Sequence, residues 1–221
     1  MIFNLFWIII ASISGFAVSA IFAGWLKIPR NLYLLIYIPV VALLFFAFIK
    51  INDLPWFEIL MKNWYWGLLG AAIASLIVIR NVLSQPSSER NTGLAFIRDI
   101  LWPGFSYGLV DSLLLSVLPI LSVFISFSGF EWAEGFWGKI AIGFIALTAS
   151  SIVAIAYHLG YPEFRNKKVF WTVFGNGVLS LAYLLTMSPL AAILPHIAMH
   201  ITAMVHGQST TGQVPPHYHD S

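Results

Sequence analysis

Four ionisable side chains lie within long apolar stretches of the 221-residue sequence: Asp111, His158, His196 and His200. An ionisable group inside a membrane is costly, by roughly 2.5–3.5 kcal/mol for Asp at the centre of a span on insertion scales. Such residues are therefore candidates for a functional site. His196 and His200 are four residues apart, so a helix presents both imidazoles on one face. Imidazole and carboxylate groups bind zinc, and the four side chains predict a divalent-metal site with zinc as the first choice.

The elements that carry these residues are apolar helices. The chain is 59% hydrophobic and only 9% charged, whereas soluble domains carry about 25% charged residues. Lipid must therefore cover its surface, and the lipid bilayer is the first partner that the composition predicts. Within lipid the backbone must satisfy its own hydrogen bonds, which predicts an all-α bundle. The apolar runs predict about seven spans, at 2–25, 32–49, 64–83, 100–128, 137–159, 169–187 and 189–206.

The domain organisation follows from these runs. Residues 1–206 are predicted to form one transmembrane helical bundle, and residues 207–221 a polar cytoplasmic tail. The segment 51–63 mixes charged with aromatic residues and is typical of a helical turn at the membrane interface. The chain has no cysteine, which excludes disulfides and thiolate metal sites. It also has no basic patch of the kind that binds nucleic acid, so no nucleic-acid partner is predicted.

The basic residues predict the orientation. Eight of them follow the first, third and fifth spans, and three lie on the other side of the predicted bundle; the eight are Lys27, Arg30, Arg80, Arg90, Arg98, Arg165, Lys167 and Lys168. The positive-inside rule makes the first set cytoplasmic. Seven spans then leave the N-terminus outside and the C-terminus in the cytoplasm. The predicted location is the cell membrane.

The predicted depths of the four polar residues agree. At 1.5 Å per residue, His200 lies about 9 Å and His196 about 15 Å from the end of their helix. His158 is close to the cytoplasmic end of its own span, and Asp111 lies about 12 Å in if its span starts at the Pro103 break. All four can converge in the cytoplasmic half of the bundle. The alternative is structural, because a neutral His can simply hydrogen-bond to a neighbouring helix.

Two sequence segments resemble motifs of a known family. Residues 149–160, ASSIVAIAYHLG, and residues 175–203, GNGVLSLAYLLTMSPLAAILPHIAMHITA, resemble the second and third motifs of the CAAX-protease and bacteriocin-processing (CPBP) intramembrane proteases. The CPBP-like part covers about 98–206. The resemblance implies that Asp111 corresponds to the family's water-activating glutamate and that His158 and His196 correspond to its two histidines. His200 stands where the family has an oxyanion-side Asn.

The chain also departs from the CPBP pattern. Asp111 is the only carboxylate where the family has EExxxR, and Ala154 occupies the aromatic position of the second motif. Several functions therefore stay open. The first is hydrolysis of a membrane peptide, with Asp111, His158, His196 and His200 as catalytic residues and metal ligands. The others are metal or haem binding without catalysis, a silent scaffold or assembly factor with a protein partner, and transport of a proton or metal ion.

Overall fold

The computed structural model describes residues 2–207, and secondary structure in this part of the chain is entirely helical. Seven apolar helices run through it: α1 (Phe3–Trp25), α2 (Arg30–Ile51), α3 (Trp64–Leu83), α4 (Gly93–Phe127), α5 (Phe136–Leu159), α6 (Lys168–Thr186) and α7 (Leu190–His206). Six are long and apolar enough to cross a membrane, and α7 has 17 residues. The predicted all-α polytopic bundle is confirmed, and the seventh predicted span corresponds to the shorter apolar helix α7. The predicted tail lies, apart from Gly207, outside the described residues.

Two of the short connections contain helices of one to two turns. Trp56–Met61 forms a six-residue helix between α2 and α3, and Glu131–Glu134 a four-residue helix between α4 and α5. Six residues rise about 9 Å along a helix, whereas a hydrocarbon core is about 30 Å thick. The segment 51–63 therefore does not add a further span.

The fourth span differs from its prediction. It begins at Gly93 rather than near residue 100, because Pro103 does not end the helix. The helix instead widens into a π-helical segment, Ile100–Ser106, that contains the proline. Proline removes one backbone donor, and a π-helical turn changes the hydrogen-bond spacing at that point. A second π-helical segment follows at Leu113–Val117, so the α-helical segment Tyr107–Ser112 lies between two widened turns.

Helix α4 is the central helix of the bundle. In its most apolar 18-residue window 78% of the residues are buried, against 22–39% in α1, α2, α3, α5 and α6. The outer helices expose large apolar side chains such as Leu76, Trp137 and Leu185. A surface of this kind suits lipid rather than water. The fold is that of a multi-pass membrane protein.

The ends of α3 and α7 meet through the loop at 84–92. His206 Nε2 donates a hydrogen bond to the Gln85 carbonyl at 2.7 Å. Arg90 Nη1 donates to the Val205 carbonyl at 3.3 Å, and the Ser88 amide donates to the His206 carbonyl at 3.3 Å. These bonds satisfy carbonyl groups that a helix C-terminus leaves unpaired. We call this end of the molecule, where most of the basic residues lie, the basic end.

Candidate metal centre

Close packing of α4 on α7 brings Asp111 to the histidines. Gly108 lies one helical turn before Asp111, against the α7 backbone. A Cβ atom at Gly108 would lie only 2.7 Å from Ile197 Cα and 3.0 Å from the His196 carbonyl oxygen. Small residues permit such approaches between membrane helices. The Asp111 carboxylate can therefore reach the side chains of α7 directly.

Asp111, His196 and His200 form a compact buried cluster. Asp111 Oδ2 lies 3.4 Å from His200 Nε2 and 3.9 Å from His196 Nε2. The two imidazole rings stack with their centroids 5.5 Å apart and their planes 16° from parallel. One potential ligand atom from each of the three residues lies within 4.8 Å of the other two. The expectation that both imidazoles share one face of a helix is confirmed.

These separations suit a tetrahedral metal. Zinc bound by nitrogen and oxygen at about 2.0–2.1 Å requires neighbouring ligand atoms roughly 3.3–3.4 Å apart. The distance from Asp111 to His200 already matches that value, and the distance to His196 is slightly longer. In the described chain, the Nδ1 atoms of His196 and His200 are buried without a hydrogen-bond partner. A buried polar atom without a partner costs about 1–3 kcal/mol, and an ion bound to the Nε2 atoms that face Asp111 leaves these Nδ1 atoms without one.

His158 faces the cluster across a small cavity. The cavity has a volume of about 30 Å³, and its wall includes Asp111, His158, His196 and His200. A cavity of about 10–15 Å³ measured in this way already holds one water molecule. The four residues singled out in the sequence therefore do come together. His158, however, lies outside the three-residue cluster, which consists of Asp111, His196 and His200.

The proton on the His158 ring is assigned by its hydrogen bond. His158 Nδ1 lies 2.7 Å from the Ala154 carbonyl oxygen. A carbonyl oxygen only accepts, so Nδ1 carries the hydrogen and donates it. In the neutral ring Nε2 then has a free lone pair. His158 is suited to accept a proton from a group in the cavity.

Tyr37 holds the other oxygen of the Asp111 carboxylate. Its hydroxyl donates to Asp111 Oδ1 at 2.6 Å. This contact joins α2 to α4, and Tyr37 is completely buried. Sequence reasoning did not include Tyr37 in the site. A possible signal was its spacing of four residues from Tyr33, because two tyrosines on one face of an apolar helix bring two hydroxyls into the bundle.

Four further buried tyrosines lie on the side of the site nearest the basic end, and their hydroxyls contact one another: Tyr33, Tyr107, Tyr157 and Tyr161. The Tyr107 and Tyr157 oxygens are 2.6 Å apart, and those of Tyr157 and Tyr161 are 3.1 Å apart. Tyr33 donates to Tyr157 at 3.3 Å. Tyr161 lies in the segment between α5 and α6, where burial raises the pKa of its hydroxyl. That hydroxyl therefore stays protonated and able to donate.

A second polar network lies beside the cavity, and sequence reasoning missed it as well. It consists of Ser116, Ser150, Asn176 and Ser180, all buried. Ser116 and Ser150 each contact the Ser180 hydroxyl, at 2.9 and 2.7 Å, and Asn176 Nδ2 donates to Ser150 Oγ at 2.9 Å. Ser150 also donates to the Leu115 carbonyl at 2.6 Å, within a π-helical segment. The network ties α4 to α5 and α6 behind the site.

Comparison of the chain with protein-family models, curated proteins and solved structures finds no match. The class of the protein therefore rests on its fold and its site alone. The protein is a multi-pass helical membrane protein in which a buried Asp and two His could hold a metal ion.

Proposed function

We propose that the protein is a membrane-embedded, CPBP-like, metal-dependent hydrolase, which cleaves an amide bond in a membrane peptide. In this proposal Asp111 is a metal ligand, rather than the water-activating residue that the CPBP resemblance implies, and His158 takes the role of the base. The observation that carries the proposal is the buried cluster of Asp111, His196 and His200, whose potential ligand atoms lie within 4.8 Å of one another. Two imidazoles and one carboxylate are a donor set found in catalytic zinc sites. The metal is a divalent cation, with zinc as the first choice.

Three protein ligands leave room for chemistry at the metal. A catalytic zinc ion keeps its fourth position for water and lowers the pKa of that water to about 7. The cavity of about 30 Å³ beside the cluster is large enough for such a water. Hydrolysis adds the water oxygen to the peptide carbonyl carbon and breaks the C–N bond. His158 Nε2 takes the proton of the water and returns it to the leaving amine, as a general base and acid does.

The orientation and location form part of the proposal. The eight basic residues that follow α1, α3 and α5 support a basic end in the cytoplasm, by the positive-inside rule. The site lies towards that end, since His158 is the penultimate residue of α5. A peptide would therefore enter from the cytoplasmic side of the cell membrane.

A non-catalytic metal-binding scaffold is the second candidate, and the size of the cavity favours it. About 30 Å³ accommodates water but neither a peptide segment nor a haem. Haem binding therefore receives no support. Catalysis requires the helices around the cavity to separate when the substrate enters, whereas a scaffold requires no such opening.

Metal analysis tests the proposal first. The wild-type protein, purified in detergent and dialysed, should contain about one zinc per chain by elemental mass spectrometry. The His196→Ala/His200→Ala double variant should contain none, because two of the three ligands are gone. His206→Ala is the matched control, since His206 bonds to Gln85 at the end of α7, outside the cavity lining. Wild-type protein without metal would contradict the proposal.

A cleavage assay tests the second part of the proposal, the hydrolysis of a membrane peptide. A panel of membrane peptides co-expressed with the wild-type protein should yield a cleaved product that the Asp111→Ala variant does not produce. Cleavage that persists in Asp111→Ala would exclude the cluster from the chemistry. Bound zinc without any cleavage, together with a stable co-purifying membrane protein, would favour the scaffold.

A further inference from the structure

The hydrogen bond from Tyr37 to Asp111 has the length of a strong, charge-assisted bond. The two oxygens are 2.6 Å apart, within the range of about 2.5–2.7 Å that is typical of a hydroxyl donating to a carboxylate. The bond occupies Oδ1, whereas both histidine nitrogens approach Oδ2. The two oxygens of one carboxylate therefore have different partners, one on α2 and the other on α7.

The Tyr37 ring is fixed on three sides. It stacks on Tyr33 and on Tyr157, in each case with the ring centroids 5.3 Å apart. Tyr107 packs edge-on against it at 5.6 Å and in turn lies 4.7 Å from the His200 ring. A phenol packed in this way cannot rotate away without displacing its neighbours. The direction of its hydroxyl is therefore preset.

We propose that Tyr37 is a positioning residue that makes Asp111 a one-oxygen metal ligand. Carboxylates bind metals through one oxygen or through both. By holding Oδ1, the Tyr37 hydroxyl leaves only Oδ2 for the ion and keeps the coordination number low enough for a water. This inference rests on the metal site proposed above. Tyr37 itself does not touch the metal, the substrate or the reacting atoms.

The test compares Tyr37→Phe with the wild-type protein. Zinc affinity, measured by competition with a chelator, should fall about 10–100-fold, as it does when a partner that orients a metal ligand is removed. The decisive measurement is the visible spectrum of the cobalt(II)-substituted protein. The wild type should give the intense bands of four-coordinate cobalt, and Tyr37→Phe the weak bands of a higher coordination number, because Oδ1 becomes free to bind.

Tyr33→Phe is the matched control. Tyr33 is equally buried on the same face of α2, but its hydroxyl contacts Tyr157 rather than Asp111. Its variant should keep the wild-type cobalt spectrum. An unchanged spectrum in Tyr37→Phe would overturn the inference, and so would the same spectral change in both variants.

A pair of non-natural residues at position 37 separates the hydrogen bond from packing if Tyr37→Phe fails to fold. 4-Methylphenylalanine fills the volume of the hydroxyl without donating, and 4-aminophenylalanine donates from the same place. The amino form should restore the wild-type cobalt spectrum and the methyl form should not; identical spectra would overturn the inference. Failure of the underlying metal site has a different signature, namely no zinc in the wild type or in any variant.

Discussion

At the scale of single residues, His158 differs from the other two histidines in what its nitrogens contact. Its Nδ1 is bonded to the Ala154 carbonyl, whereas the Nδ1 atoms of His196 and His200 lack partners within the described residues. The hydrogen bond at Nδ1 keeps the ring proton of His158 on that nitrogen, so the lone pair of Nε2 can accept a proton. His196 and His200 instead direct Nε2 at Asp111 Oδ2, at 3.9 and 3.4 Å. The three imidazoles are therefore suited to two different tasks.

This difference predicts a selective defect. His158→Ala should retain about one zinc per chain but lower cleavage by a factor of about 10²–10⁴, the usual contribution of a general acid–base residue. Elemental analysis and the rate of appearance of cleaved peptide measure the two effects on the same preparation. Loss of zinc would instead make His158 a metal ligand, and an unchanged rate would remove it from the mechanism.

The site could be predicted from sequence only in part. The shared face of His196 and His200 follows from local helix geometry, which a spacing of four residues determines. Tyr37 is 74 residues away from Asp111 in the chain, and their contact depends on how α2 packs. A hydropathy pattern carries no information about which helices become neighbours. The pairing of His196 with His200 was therefore predictable, whereas the contact of Tyr37 with Asp111 was not.

At the scale of elements, the close approach of α4 to α7 depends on Gly108. Gly108→Ala should destabilise the protein by about 1–3 kcal/mol, as overpacking of a tight interface does, because the added carbon meets the α7 backbone. It should also weaken zinc binding, since Asp111 moves away from the histidines together with its helix. Thermal unfolding in detergent and zinc content measure the two effects.

Gly177→Ala is the matched control for this change. Gly177 is also within a helix, α6, but a Cβ atom there would have no neighbour within 4 Å. Its variant should keep wild-type stability and zinc content. Equal effects of the two substitutions would show that helical Gly-to-Ala changes as such, rather than the contact with α7, cause the loss.

The helices themselves were predictable, but their local irregularities were not. Long apolar runs require helices in lipid, and each of the seven runs contains one. Hydropathy averaged over a span does not register a single widened turn, so the two π-helical segments of α4 left no signal. Pro103 was visible in the sequence, but a proline can end a helix, kink it or be accommodated in a wider turn.

At the scale of the whole molecule, the absence of cysteine makes the orientation directly measurable. The exposed Ser87 lies in the loop after α3, and the exposed Ser128 follows α4 at the opposite end. A membrane-impermeant maleimide applied to intact cells should label Ser128→Cys, but Ser87→Cys only after permeabilisation. The positive-inside rule is the reason for this expectation.

Each of these single-cysteine variants serves as the control for the other, because the wild-type chain gives no background label. The reversed labelling pattern would place the basic end outside the cell. It would also contradict the proposed entry of peptides from the cytoplasm.

The two π-helical segments of α4 also affect how this sequence aligns with those of its relatives. A π-helical turn contains about one residue more than an α-helical turn, so each one has the effect of a single-residue insertion within a membrane span. Asp111 lies between the two segments. An alignment that allows no gaps inside helices will therefore shift this carboxylate by one position against any relative that lacks the first insertion. Homologues of this protein should be sought with a one-residue gap permitted between residues 100 and 106.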